Sequence, residues 1–390
     1  MRMNTAAVVA LPLCICAATA FGQGASAPAS VPPAAPDFID DWRYEESQHI
    51  GNPVQLTFGD RFVKAGEAYF SPDGRQVVFQ AVEKPAEGAS PDDFYAMFVA
   101  DLGPGAAGQP ALSNIRRVSP PGSANTCGWF DAGHPGRLIF GSTIEPPRED
   151  EQAPGYQRGT GRYRWAFPAQ MRVVEVELAE ADGTAAPLRT VVGDGKGYTA
   201  ECSTSPDGRW LLYAALRGAD CDIFVLDRRS GMSIPLVTAR GYDGGPFFSP
   251  DATRICFRSD RVGDDLLQLR IADLKRDESG AITGVENERA LTANAFVNWC
   301  PFWHPTSGKL VYATSQMGHQ NYEVFEIAAA PGTDPAAPLP VPTRVTFAPG
   351  ADVLPAFDPT GKRLMWTSKR GPDGTSQLWI GDWQPGVSSQ

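Results

Sequence analysis

Apolar residues in this chain fall in short alternating runs, and the runs are cut every few residues by Pro, Asp, Ser and Gly. A period of two with frequent turn residues predicts strands and hairpins rather than helices. One apolar–turn–apolar phrase returns six times. It reads FSPDGRQVVF from Phe70, FDAGHPGRLIF from Phe130, TSPDGRWLLY from Thr204, FSPDATRICF from Phe248, WHPTSGKLVY from Trp303 and FDPTGKRLMW from Phe357. Every copy closes on an aromatic residue: Phe79, Phe140, Tyr213, Phe257, Tyr312 and Trp366. Aromatics are 10% of the chain, so chance rarely fills six aligned positions this way.

Each phrase predicts a strand, a Pro-Asp-Gly-type turn and a second strand. A third apolar run follows each copy, as in YAMFVADL, MRVVEVEL and CDIFVLD. A fourth precedes the next copy, as in IRRVS, LRTVV and TRVTF. Four strands per unit, repeated at this spacing, predict an all-β, six-bladed β-propeller of antiparallel blades over residues 51–385. After QLWIGDW at 377–383 no further strand is read for blade six. The run VQLTF at 54–58 matches TRVTF at 343–347 in pattern. The N-terminal strand 54–58 is therefore expected to complete blade six and close the ring, which removes two open sheet edges.

The SPDG turns, the aromatic second strands and third strands such as CDIFVLD resemble the Pro-Asp subclass of WD-like repeats found in TolB-like exported propellers. GYDGGPFFSPD, VNWCPFWHPTSGKLVY and LPAFDPTGKRLMW carry the likeness. The resemblance implies a lone propeller, without the N-terminal α/β domain of TolB. It also implies a protein that binds a peptide, an envelope protein or a saccharide on one face or in its channel.

The N-terminus predicts export. Arg2 is followed by the apolar run AAVVALPLCICAATAF at 6–21 and by small residues, so residues 1–22 are expected to be a signal peptide. Cys14 and Cys16 follow Leu13 and Ile15 rather than small residues, which argues against lipidation. Residues 23–50 open with GQGASAPASVPPAA and are expected to be a flexible spacer and lead-in. A periplasmic or secreted monomer follows, with no membrane insertion. The net charge of -11 argues against nucleic acid or an anionic membrane as partner.

In a propeller the first strand of each blade lines the axis. The loop leading into it and the loop joining strands two and three share one face, the upper face. The SPDG turns lie on the other and read as turn chemistry alone. Five residues before each phrase stand Ala65, Asn125, Thr199, Asp243, Asn298 and Asp352, and two residues later Glu67, Cys127, Glu201, Gly245, Cys300 and Leu354. The channel mouth is thus expected to gather Glu67, Glu201, Asp243 and Asp352 with Asn125 and Asn298. Such an oxygen-rich ring suits Ca²⁺ or a cationic or hydroxyl-rich ligand. The plainer alternative is solvated loop ends around a column of water. No other cofactor is expected. His319, with Asn321 and Glu323, is a second upper-face candidate.

The insertion at 142–168 carries Arg158, Arg162, Arg164 and Trp165, a composition common in binding hot spots. A surface insertion with no role is the alternative. Neither HExxH nor Gly-x-Ser-x-Gly occurs, and no metal ligands are identified. A non-catalytic binding or scaffold protein is favoured. The competing expectation is a metal-dependent propeller lyase or hydrolase that acts on acidic saccharides. Past the signal five cysteines remain, and Cys202 and Cys221, both placed at the upper edge of blade three, are expected to form a disulfide, with separate half-buried thiols as the alternative.

Overall fold

The computed structural model describes residues 42–148, 168–178, 187–218, 220–329 and 337–384. The expected signal peptide and residues 23–41 of the expected spacer lie outside them. A helix α1 (Trp42–Ser47) and a strand β1 (Ile50–Gln55) come first. Blade one is β2 (Phe62–Phe70), β3 (Gln76–Glu83), β4 (Ala96–Pro104) and β5 (Pro110–Arg117). Blade two is β6 (Asn125–Phe130), β7 (Arg137–Ser142), β8 (Arg172–Glu177) and β9 (Arg189–Val192). Blade three is β10 (Thr199–Thr204), β11 (Trp210–Arg217), β12 (Asp220–Asp227) and β13 (Met232–Val237). Blade four is β14 (Asp243–Phe248), β15 (Arg254–Ser259), β16 (Gln268–Arg276) and β17 (Ile282–Ala290). Blade five is β18 (Asn298–Trp303), β19 (Lys309–Thr314), β20 (Glu323–Ala328) and β21 (Thr343–Arg344). Blade six is β22 (Asp352–Phe357), β23 (Arg363–Ser368) and β24 (Gln377–Trp383), completed by β1. The six repeated phrases are the six inner hairpins.

β1 runs antiparallel to β24, from Ile50 opposite Trp383 to Gln55 opposite Trp379. The ring is closed as predicted, but the strand begins four residues before the alternation does. Asn52, with a φ of 48°, and Pro53 interrupt the pattern at a bulge between Gly51 and Val54. The likeness of VQLTF to TRVTF has a mechanical cause. The Thr57 hydroxyl accepts the N–H of Leu378 at 2.9 Å, and the Thr346 hydroxyl accepts that of Val324 at 2.8 Å. Each threonine caps the third strand of its blade.

Part of the expected spacer is ordered. Blade five's outer strand is only Thr343–Arg344. α1 and the residues after it lie against the junction of blades five and six, and Ile50 is buried among Val311, Val324, Val345, Phe357 and Trp366. Glu46 of α1 is buried, accepts the N–H of Phe347 at 2.9 Å and pairs with Arg370. Arg370 also reaches Asp352 at 2.8 Å and lies over the rings of Trp42, Trp366 and Trp379.

Every inner strand carries the same irregularity. The register between strands one and two shifts at Gly66/Ala68, Thr126/Trp129, Ala200/Ser203, Gly244/Phe247, Trp299/Phe302 and Val353/Ala356. The third residue of each standard six-residue strand, and its counterpart Glu67 in blade one, has a positive φ: Glu67 42°, Cys127 54°, Glu201 56°, Gly245 59°, Cys300 47° and Leu354 56°. Five of the six are not glycine, at a cost of about 1 kcal/mol each. The repeated aromatics of the second strands sit opposite these bulges and are all buried. Two inner-strand residues oppose one outer residue there, and a large ring fills the space the bulge opens.

Candidate functional site

The axial channel has two layers. The upper one is the ring of bulge residues. Around Glu201 the bonding is complete: its carboxylate accepts from Tyr198 Oη at 3.0 Å, Tyr242 Oη at 2.7 and 2.9 Å, the Gly245 N–H at 2.5 Å and Arg258 Nη2 at 3.2 Å. Arg258 is buried with it and also donates to Tyr242 Oη. Gly244 belongs to this packing, because a Cβ there would lie 2.3 Å from Tyr242 Oη and 2.5 Å from Glu201 Oε2. Glu67 differs. It is half-buried, with long contacts of 3.4 Å to Tyr69 Oη and Thr126 Oγ1. Burial raises its pKa, while the Cys127 thiol and N–H bond to it and pull the other way. Burial likewise raises the thiol of Cys127 and takes that of Cys300 to about 12. The Cys300 thiol accepts the Leu354 N–H at 3.3 Å, so neighbouring bulges are tied around the ring.

Below the ring the channel is floored by Tyr69, Trp129, Phe247 and Phe302. Their rings touch one another, with centroids 5.1 to 6.3 Å apart. Beneath this floor, open to the turn face, lies a cavity of about 320 Å³.

The residues predicted for the mouth divide. Asn125, Asp243, Asn298 and Asp352 are buried; the asparagines are held by backbone carbonyls of their own and the preceding blade, the aspartates by arginines of their own blade. Asn125 donates to the carbonyls of Tyr95 and Ser123, and Asn298 to Leu267 and Phe296. Asp243 pairs with Arg261 at 3.2 Å and Asp352 with Arg370. Burial raises the pKa of both acids against the pull of their partners. The structure therefore brings Glu67 and Glu201 to the axis and turns the other four into the walls. Among the described residues no group of three His, Cys, Asp or Glu is placed to hold a metal ion.

His319 Nδ1 lies 3.2 Å from Tyr322 Oη. Asn321 joins Glu323 to the Gly350 N–H. Glu323 has no exposed surface. It accepts from Arg344 at 2.7 Å and Thr346 at 2.6 Å, and burial, with Asp352 nearby, raises its pKa to about 8. Arg158, Arg162, Arg164 and Trp165 lie outside the described residues.

The Cys202–Cys221 disulfide is not formed; both are buried free thiols. The bulge carries Cys202 down beside Tyr213, where it packs on Ile139 and Val173 of blade two. Cys221 stands opposite Leu216 and bridges to Tyr242. The two are three residues apart along β11 and two strands apart across the sheet, roughly 10 Å in each direction and beyond disulfide reach.

The turn-face cavity has no counterpart in the sequence expectations. Its signal was present, because five of the six phrases open on an aromatic residue and five carry a proline two residues on, where a solvated turn needs no aromatic.

Fold and channel together define a six-bladed β-propeller whose axis is closed by an aromatic floor. No family model matches the chain. An uncharacterized protein of Agrobacterium fabrum is 33% identical over 110 residues, which cover 28% of this chain and 34% of that protein, about a third of its length. Among solved structures, a chain described as TolB from Agrobacterium tumefaciens is similar over 82% of this chain and 90% of its own, at 16% identity and a TM-score of 0.46. A luciferin-regenerating enzyme is similar over 86% and 97%, at 12% identity and a TM-score of 0.51. These likenesses concern the fold.

Proposed function

We propose that this is an exported, non-catalytic binding protein that holds a polypeptide partner on the upper face, over blades one and two. The observation that carries the reading is the inequality of the loops. On the turn face the inner hairpins are joined by short, near-identical turns. On the upper face the connections between strands two and three span 84–95, 143–171, 218–219, 260–267, 315–322 and 369–376. Long connections between strands two and three mark a binding face of a repeat ring, and the two longest of these, in blades one and two, are neighbours. Glu67, the half-buried carboxylate of the upper ring, belongs to blade one and meets Thr126 of blade two. Arg158, Arg162, Arg164 and Trp165 belong to the longer insertion. The Glu201, Asp243 and Asp352 carboxylates are tied to arginines, which favours a scaffold role for them over Ca²⁺ ligation.

The test compares two immobilised proteins, the wild type and a variant in which 86–93 is replaced by a short Gly/Ser connection. From an envelope extract the wild type is expected to retain a partner that the variant loses at unchanged Tm. Equal retention by both would contradict the reading. Turnover of acidic oligosaccharides that is abolished by EDTA would support the enzymatic alternative.

A further inference from the structure

The turn face offers a site of a different chemistry. All six phrase-opening residues line its cavity, Phe70, Phe130, Thr204, Phe248, Trp303 and Phe357, and so does the residue two places on in every copy, a proline in five (such as Pro72 and Pro250) and Ala132 in blade two. The aromatic floor forms its base. At about 320 Å³ the cavity is in the size range of small-ligand pockets.

The polar side chains at its wall are already engaged. The hydroxyls of Ser71 and Ser249 donate to Asp73 and Asp251, and that of Ser203 to the Pro246 carbonyl. Thr204 accepts the indole N–H of Trp129, and the Trp303 indole donates to the Phe247 carbonyl. Asp358 accepts from Arg363 and from the Lys362 N–H. A charged ligand would enter without a counter-charge or a free hydrogen-bonding group, and burial would be costly. Outside, the turn carboxylates Asp73, Asp207 and Asp251 are exposed. Hydrogen bonds from the turn hydroxyls hold the pKa of Asp73 down, and those of Asp207 and Asp251 down against partial burial. These carboxylates lie outside the lining and beside Arg75, Arg276 and Arg254, so selection against anions rests on the wall, whose polar groups are already engaged. Prolines with fixed φ and rings packed on one another leave a preformed wall.

We propose that this cavity binds a free, uncharged aromatic small molecule, one per chain, independently of the partner on the upper face. Two probes with one ring skeleton test it on the full mature protein: neutral N-phenyl-1-naphthylamine and anionic 8-anilino-1-naphthalenesulfonate. The neutral probe is expected to bind at one site with enhanced fluorescence, and the sulfonate at least about tenfold more weakly. Pro250→Lys, an exposed turn substitution that brings a charge to the mouth, should weaken the neutral probe about tenfold at unchanged Tm. Ala132→Leu, which narrows the mouth without removing a core contact, should do the same. Indole should displace the probe. Equal binding of both probes, or retention of the neutral probe by both variants, would overturn the proposal. So would displacement by acetyl-Ala-Trp-Ala-amide but not by indole, which would make the cavity a peptide site, or displacement by choline alone, which would make it a cation site.

Discussion

Glu201 occupies a position where a residue of positive φ is needed, yet glycine is not used. Its carboxylate closes a buried pair with Arg258, and two tyrosine hydroxyls and a backbone N–H complete the set. Removing one member of such a pair strands the other. Glu201→Ala is expected to cost about 3 kcal/mol in urea unfolding, and the double variant with Arg258→Met to recover part of that. A loss below about 0.5 kcal/mol would mean the pair is not formed. Glu323 is the second residue-level case. Its folded-state pKa of about 8 lies above the ordinary value of 4.5. Stability from this group is therefore fully present below pH 4.5 and falls as pH rises toward 8. Glu323→Gln should flatten the decline of Tm between pH 5 and 8. An unchanged slope would place the titration elsewhere. Neither case was legible in the sequence: the repeat puts Glu201 at the axis, but its partners Tyr242 and Arg258 come from another blade.

At the scale of elements the sequence was most informative where chemistry repeats. Turn residues and the closing aromatics marked all six hairpins, because a Ser–Asp turn and a bulge-filling ring are local requirements. The third and fourth strands followed from spacing. What escaped was non-local. α1 carries no strong helical signal of its own, and its order comes from Glu46 meeting Arg370 and Phe347. The bulge moved Cys202 away from the sheet edge and so removed the expected disulfide. It also turned the first residue of each inner strand into the wall. Ring closure is testable here. Deleting residues 42–55 removes β1 and the latch of α1, leaving β24 with an unpaired edge. Self-association and a lower Tm are expected in sedimentation and thermal scans. A monomer with unchanged Tm would contradict the closed ring.

For the molecule as a whole, the account separates two faces that the repeat alone treats as equivalent. Uniform turns surround an apolar cavity on one side. Unequal loops and a half-buried glutamate occupy the other. The floor of Tyr69, Trp129, Phe247 and Phe302 keeps them apart, so a ligand on one face does not reach the other through the axis. The central claim is that the partner sits on the unequal loops. Photo-crosslinking addresses it directly, with a benzophenone side chain placed singly at Asp92 and Gln316 on the upper face and at Asp207 and Thr306 on the turn face. In an envelope extract, a discrete polypeptide adduct is expected from Asp92, a weaker one from Gln316 across the ring, and none from Asp207 or Thr306. Adducts from the turn-face positions alone would contradict the account.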